Sequence, residues 1–134
     1  MNEQVNIRIV RELLAAFKRG DLPAVLELCS EDGVVHHPIP KSVLPFAGIS
    51  RGKREVEQFC IGMQKTFELD PFEPREFIAQ EDKVVVVVFE RSLNRATGRA
   101  VDNEYVHVYT IKDHKIASVR IYEDTAPILA AMLP

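Results

Sequence analysis

Basic charge is scarce in this sequence: 17 Lys and Arg stand against 20 Asp and Glu in 134 residues, a net charge of -3. That balance leaves out the basic footprint by which a domain grips nucleic acid. Long apolar runs are missing as well. No stretch approaches the roughly 20 residues of a membrane span, and the opening Met-Asn-Glu-Gln-Val-Asn-Ile-Arg lacks the basic lead and apolar run of a secretory signal. There are two cysteines, Cys29 and Cys60, both in helical-looking stretches and without metal-ligand spacing. They read as buried thiols of a reducing compartment, so the expected location is cytoplasmic. No glycine-rich phosphate loop is present, since Gly48-Ile-Ser-Arg-Gly52 lacks the pattern. No serine or cysteine sits at a strand–helix elbow. His36 and His37 are neighbours on an extended segment, so their side chains diverge, and no third ligand is close in sequence. The expectation is therefore no metal, no cofactor, no nucleic acid and no membrane.

What is there suits one globular domain over residues 1–134, long enough to bury a core, with 46% hydrophobic and 28% charged residues. Val5, Ile9, Leu13, Ala16 and Phe17 recur at helical spacing and predict a helix over residues 4–19. Gly20 ends it, Asp21 caps a short second helix through Leu22, Val25, Leu26 and Cys29, and Pro23 is tolerated in its first turn. Asp32-Gly33 reads as a turn, Val34–His37 as a short strand, and residues 38–52 as a proline-containing loop. Val56, Phe59, Cys60, Met63 and Phe67 give a third helix whose apolar stripe reads as core. After Asp70-Pro71 the chain turns to strands: Glu76–Ala79, then Lys83–Ser92 with five consecutive valines, which predicts a strand buried on both faces. A hairpin follows from Asp102 to Thr125, turning at Lys112-Asp113-His114. Thr125, with Asp124, caps a last helical turn. Helices followed by a long antiparallel sheet make an α+β order. With helices on one face, the apolar outer face of Val85, Val87, Phe89, Val106 and Val108 needs other cover, and a homodimer is the simplest source.

The hairpin carries the functional argument. Alternation places Asn103, Tyr105, His107 and Tyr109 on one face, and on the return Val119, Ile121 and Glu123. An aromatic face with polar tips suits a ligand-contacting wall. His107 can exchange a proton near neutrality, or can be a hydrogen-bonded core histidine. Glu90 shares a face with Val84, Val86 and Val88; it is either a buried carboxyl of raised pKa or lies past the buried part of its strand. Glu123 can reach the same space.

The order of these landmarks resembles the SnoaL-like and ketosteroid-isomerase-like proteins of the nuclear transport factor 2-like superfamily. The residues that carry the resemblance are Ala16-Phe17-Lys18-Arg19-Gly20-Asp21, Pro45-Phe46-Ala47-Gly48 with Arg51-Gly52, Thr97-Gly98, His107-Val108-Tyr109 leading to Lys115-Ile116, and Tyr122-Glu123-Asp124-Thr125. It implies a cone of three N-terminal helices on a strongly curved antiparallel sheet, a pocket inside, and a dimer through the sheet's outer face. It also places residues. Where ketosteroid isomerases carry a catalytic aspartate before proline, an oxyanion tyrosine and an oxyanion-hole aspartate, this chain has His37, Leu13 and His107. The polyketide cyclases' pocket histidine, glutamine and asparagine match His107, Tyr105 and His37, but Ile121 stands at their aspartate. The limonene-epoxide hydrolases' Arg, Asp and Asp match Val88, Glu90 and Ile121. The resulting expectation is a pocket for a small apolar carbonyl compound, polyketide- or steroid-like. Its catalytic candidates are His107 paired with Glu90 or Glu123. Its binding wall is His37, Tyr105, Ile121, Val88, Phe17, Phe59 and Met63. A non-catalytic binding protein and a dimeric interaction module remain the alternatives.

Overall fold

Asn2 starts the first helix by accepting the Gln4 and Val5 backbone N–H groups at 3.0 and 3.1 Å. In the computed structural model, which describes residues 2–133, this helix α1 spans Glu3–Lys18. It buries Ile9, Val10, Leu13, Leu14 and Ala16 along one stripe, as its periodicity predicts. Gly20 follows at φ 73°, a left-handed conformation open to glycine at no steric cost. Asp21 then caps α2 (Leu22–Leu28) by accepting from the Ala24 N–H at 3.2 Å. Cys29 lies beyond the helix and opens strand β1 (Cys29–His36).

β1 is longer than its sequence suggests. Asp32-Gly33, read above as a turn, lies at a register shift between Cys29 and Val34 inside the strand. The local turn signal yields to pairing with a strand far along the chain, and the extra residues are absorbed as an irregularity. Residues 49–51 also leave the expected loop, forming β2 (Ile49–Arg51) antiparallel to β1. Helix α3 (Gly52–Thr66) packs over β1 and buries Val56, Phe59 and Cys60. β3 (Phe67–Gln80) extends well before the predicted Glu76. Its prolines are compatible with pairing because β3 is an edge strand with register shifts between Leu69 and Phe72 and between Pro74 and Glu76.

β4 (Lys83–Asn94), β5 (Ala100–Lys112) and β6 (Lys115–Tyr122) complete a six-stranded curved sheet in the order β2-β1-β6-β5-β4-β3. Each pair is antiparallel except β1 with β6, which run parallel. The valine run is not buried on both faces. Val84, Val86 and Val88 are fully buried, whereas Val85, Val87 and Phe89 are half-exposed in the single chain, because the helices cover only the concave side. The last helix, α4 (Ala126–Ala130), packs Ile128 against Ile39, Leu44, Ala47 and Phe67 and closes one end of the cone. Thr125 makes no side-chain cap bond there; Asp124 accepts the Ala126 N–H at 3.2 Å instead. Among the described residues no helix is long and apolar enough to cross a membrane.

Candidate functional site

Register decides which side chains meet. Across β4 and β5, Val86 faces His107, Val88 faces Tyr105 and Glu90 faces Asn103. Across β5 and β6, His107 faces Ile121. The inward row Asn103, Tyr105, His107, Tyr109 is buried throughout. Tyr105, His107 and Tyr109 of that row form one wall of an apolar cavity of about 110 Å³ between the sheet and the helices. Phe17 from α1, Phe59 and Met63 from α3, and Phe72 from β3 line the opposite side. Glu90, Glu123, His37 and Ile121 also reach the cavity. Val88 does not. It is fully buried in the core beneath the wall, so its expected role in binding is withdrawn.

Two carboxylates in this space have different partners. The Tyr105 hydroxyl donates to Glu90 Oε1 at 2.5 Å. Glu90 is 4% exposed, and loss of hydration lifts its pKa from 4.5 to about 7. The Tyr105 hydrogen bond opposes that rise and the nearby Glu123 charge adds to it. Burial also keeps Tyr105 protonated, with the Glu90 charge acting in the same direction, so its hydroxyl remains a donor.

Glu123 is held at both oxygens. His37 Nε2 approaches Oε1 at 3.3 Å, and Asn103 Nδ2 donates to Oε2 at 3.2 Å. The Ile39 backbone N–H donates to His37 Nδ1 at 3.2 Å, so the ring proton sits on Nε2 and points at Glu123. The histidine–carboxylate pair of this site is therefore His37 with Glu123, not the expected His107 with Glu90 or Glu123. The pairing crosses from the end of β1 to the end of β6, and no local pattern reports it.

His107 has a different character from the one its type suggests. Burial, with His37 nearby, lowers its pKa from 6.5 to about 3, so the ring is neutral at physiological pH. Its Nδ1 lies 2.8 Å from the Tyr109 hydroxyl, and its Nε2 is buried without a hydrogen-bond partner in the structure. Burial holds Tyr109 protonated. A phenol O–H donating to an imidazole nitrogen is the favourable pairing, which leaves the ring proton on Nε2. Sequence reasoning placed Tyr109 on the inner face but gave it no role; the alternation from Asn103 to Tyr109 was the available signal. It also gave Asn103 no role.

A family model described as SnoaL-like domain matches residues 10–119. The chain belongs to the SnoaL-like family. No curated protein matches it. Among solved structures, it is 31% identical to an NTF2-like protein of Burkholderia xenovorans LB400, with 99% of each chain covered and a TM-score of 0.89. An NTF2-like protein of unknown function from Burkholderia pseudomallei K96243 is 28% identical over 100% of both chains, also at 0.89. TerC, co-crystallised with polyporic acid, shares the fold at a TM-score of 0.85 with 23% identity, over 96% of this chain and 98% of TerC. The SnoaL-like cone expected from the landmark residues is thus the fold of this chain.

Proposed function

We propose that this SnoaL-like protein is a cofactor-free acid–base enzyme, an isomerase or cyclase by class, acting on a small, largely apolar carbonyl compound. The observation that carries the reading is Glu90: a buried carboxyl with a pKa near 7, hydrogen-bonded to Tyr105 inside an apolar cavity. A base of that strength matches proton abstraction at neutral pH. Glu90 takes a proton from the carbon beside the carbonyl, the electron pair moves onto the carbonyl oxygen, and His107 Nε2–H hydrogen-bonds the enolate so formed. Glu90 then returns the proton at another carbon. In a cyclase the enolate carbon instead attacks a second carbonyl carbon of the same substrate, the C=O π pair moves onto its oxygen, and Glu90 gives its proton to that alkoxide. Glu123 is held in place by His37 and Asn103, and its proximity adds to the raised pKa of Glu90. Phe17, Phe59, Met63 and Ile121 hold the apolar body of the substrate. A volume of about 110 Å³ suits a single ring better than a fused polycycle.

The test is a screen of ring ketones, polyketide esters and epoxides on wild type, Glu90→Gln and His107→Ala. Glu90→Gln is expected to lower turnover by roughly a hundredfold or more, the usual contribution of a positioned acid–base group. Equal turnover in wild type and Glu90→Gln would refute the assignment. A second reading, apolar-ligand binding without turnover, is favoured by the Ile121 side chain at the cyclases' acid position and by the absence of any carboxylate hydrogen-bonded to His107 among the described residues. TerC co-crystallised with polyporic acid is compatible with either reading. Tight binding of a ring compound that is never converted would select the second.

The homodimer belongs to the same proposal. Ile78 and Tyr122, 59% and 54% exposed, extend the half-exposed rows of Val85, Val87, Val106 and Val108 on the sheet's outer face. A second copy of this chain would cover that surface.

A further inference from the structure

We propose that a cleft beside the cavity binds the anionic tail of an amphiphilic substrate whose neutral head occupies the cavity. The inference builds on the cavity reading above and adds the substrate's charge and shape. The cleft has a volume of about 340 Å³ and is lined by Lys18, Arg19, Gly20, Gln64, Glu68 and Arg95. Four apolar residues, Phe17, Phe67, Leu69 and Phe72, line both spaces, so cleft and cavity share one wall. The proposal places a single molecule across these side chains, with a ring on the cavity side and a tail on the cleft side.

Charge changes sign across that wall. The cavity holds the carboxyl groups of Glu90 and Glu123, and neither Lys nor Arg lines it. An acid entering it would face two like groups in a poorly hydrated space, which disfavours an anionic head. The cleft carries three cations on a chain of net charge -3. Two of them are partly engaged. Arg19 donates through Nε and Nη2 to Asp21 at 3.3 and 3.0 Å. Arg95 donates through Nε to the Gln64 carbonyl at 3.1 Å, with Nη1 4.0 Å from Glu68. Guanidinium groups have five N–H donors, so each retains donors for a ligand oxygen. Lys18 is exposed and has no acidic partner among the described residues, which leaves the cleft net positive. The chemistry this arrangement recognises is a phosphate or carboxylate joined to a small neutral ring or acyl head.

Calorimetric titration of three matched series tests this: ω-phenylalkanols, ω-phenylalkyl carboxylates and ω-phenylalkyl phosphates over a range of tail lengths, against wild type and Lys18→Gln. At low salt the phosphates of one favoured length are expected to bind roughly three- to tenfold tighter than the matching alcohols, as exposed charge pairs allow. The carboxylates should fall between if net charge is what the cleft reads. That advantage should shrink at about 1 M salt, and Lys18→Gln should bring the phosphate-to-alcohol ratio toward one. If the alcohols bind and the anionic tails add nothing at any length, the cleft proposal fails while the cavity reading stands. A phosphate advantage that Lys18→Gln and salt leave untouched overturns it equally. Should none of the three series bind, the cavity reading fails and takes this inference with it.

Discussion

Replacing Glu90 by Gln should make this protein more stable at alkaline pH. The substitution keeps the shape and leaves an oxygen to accept the Tyr105 hydroxyl, but removes the charge. In the folded state the Glu90 carboxyl has its pKa raised from 4.5 to about 7. Between those values the folded chain keeps a proton that the unfolded chain has released. The stability contributed by Glu90 is thus fully present below about pH 4.5 and is lost as pH rises through 7. At about 1.4 kcal/mol per pH unit, the gap corresponds to about 3 kcal/mol lost above neutrality. His107 runs the other way. Its lowered pKa contributes stability above 6.5 that is lost as pH falls toward about 3. The two slopes oppose each other between 4.5 and 6.5, so the wild-type curve alone would hide both. The difference between wild type and Glu90→Gln cancels His107 and isolates Glu90. Urea denaturation at a series of pH values should show Glu90→Gln gaining about 3 kcal/mol on wild type between about pH 4.5 and pH 8. A difference that stays flat across that range would refute the buried, raised carboxyl.

Glu123→Gln should destabilise the fold by about 1–3 kcal/mol, because one amide oxygen cannot replace both acceptors offered to His37 and Asn103. The same change should lower the Glu90 pKa by removing a neighbouring negative charge, which carbon-13 NMR of the carboxyl can follow. Gly62→Ala should cost about 1–3 kcal/mol in chemical denaturation, although alanine is the better helix former, because its Cβ would meet the Phe46 ring at 2.2 Å. In a Phe46→Ala background the cost should shrink, because the ring contacts at 2.2 and 2.3 Å are gone while the 2.7 Å approach to the residue 46 Cβ remains. Burial raises the thiols of Cys29 and Cys60 to about 11 and about 12, so thiol reagents at about pH 8 should label them only as fast as the chain opens. Light scattering at micromolar concentration should give a mass near twice 15.2 kDa, and a monomer there would remove the proposed second copy from the sheet face.

The parts of this protein that were legible in the sequence are those set by neighbours along the chain. Helical spacing located α1 and α3, Asp21 declared its cap, and period-two alternation put Asn103, Tyr105, His107 and Tyr109 on one face before any fold was known. Spaced landmark residues were enough to name the SnoaL-like cone. What failed were statements that needed partners from elsewhere. Asp32-Gly33 became an irregularity inside β1 because β6, more than 80 residues later, pairs with Cys29 and Val34 on either side of it. Glu76 could not announce a strand starting at Phe67, because Pro71 and Pro74 are acceptable only on an edge, and edge position is a property of the finished sheet. The candidate site divides in the same way. Residue type and alternation pointed Glu90, Tyr105, His107 and Glu123 toward one cavity, and the family resemblance added His37; all five line it. Only the closed structure decided that Glu123 belongs to His37, that Tyr105 belongs to Glu90, and that His107 stands neutral with Tyr109. Alternation follows from backbone geometry within a few residues. Hydrogen-bond partners and desolvation depend on register and on every element packed around the group, and both exist only once the chain has closed on itself.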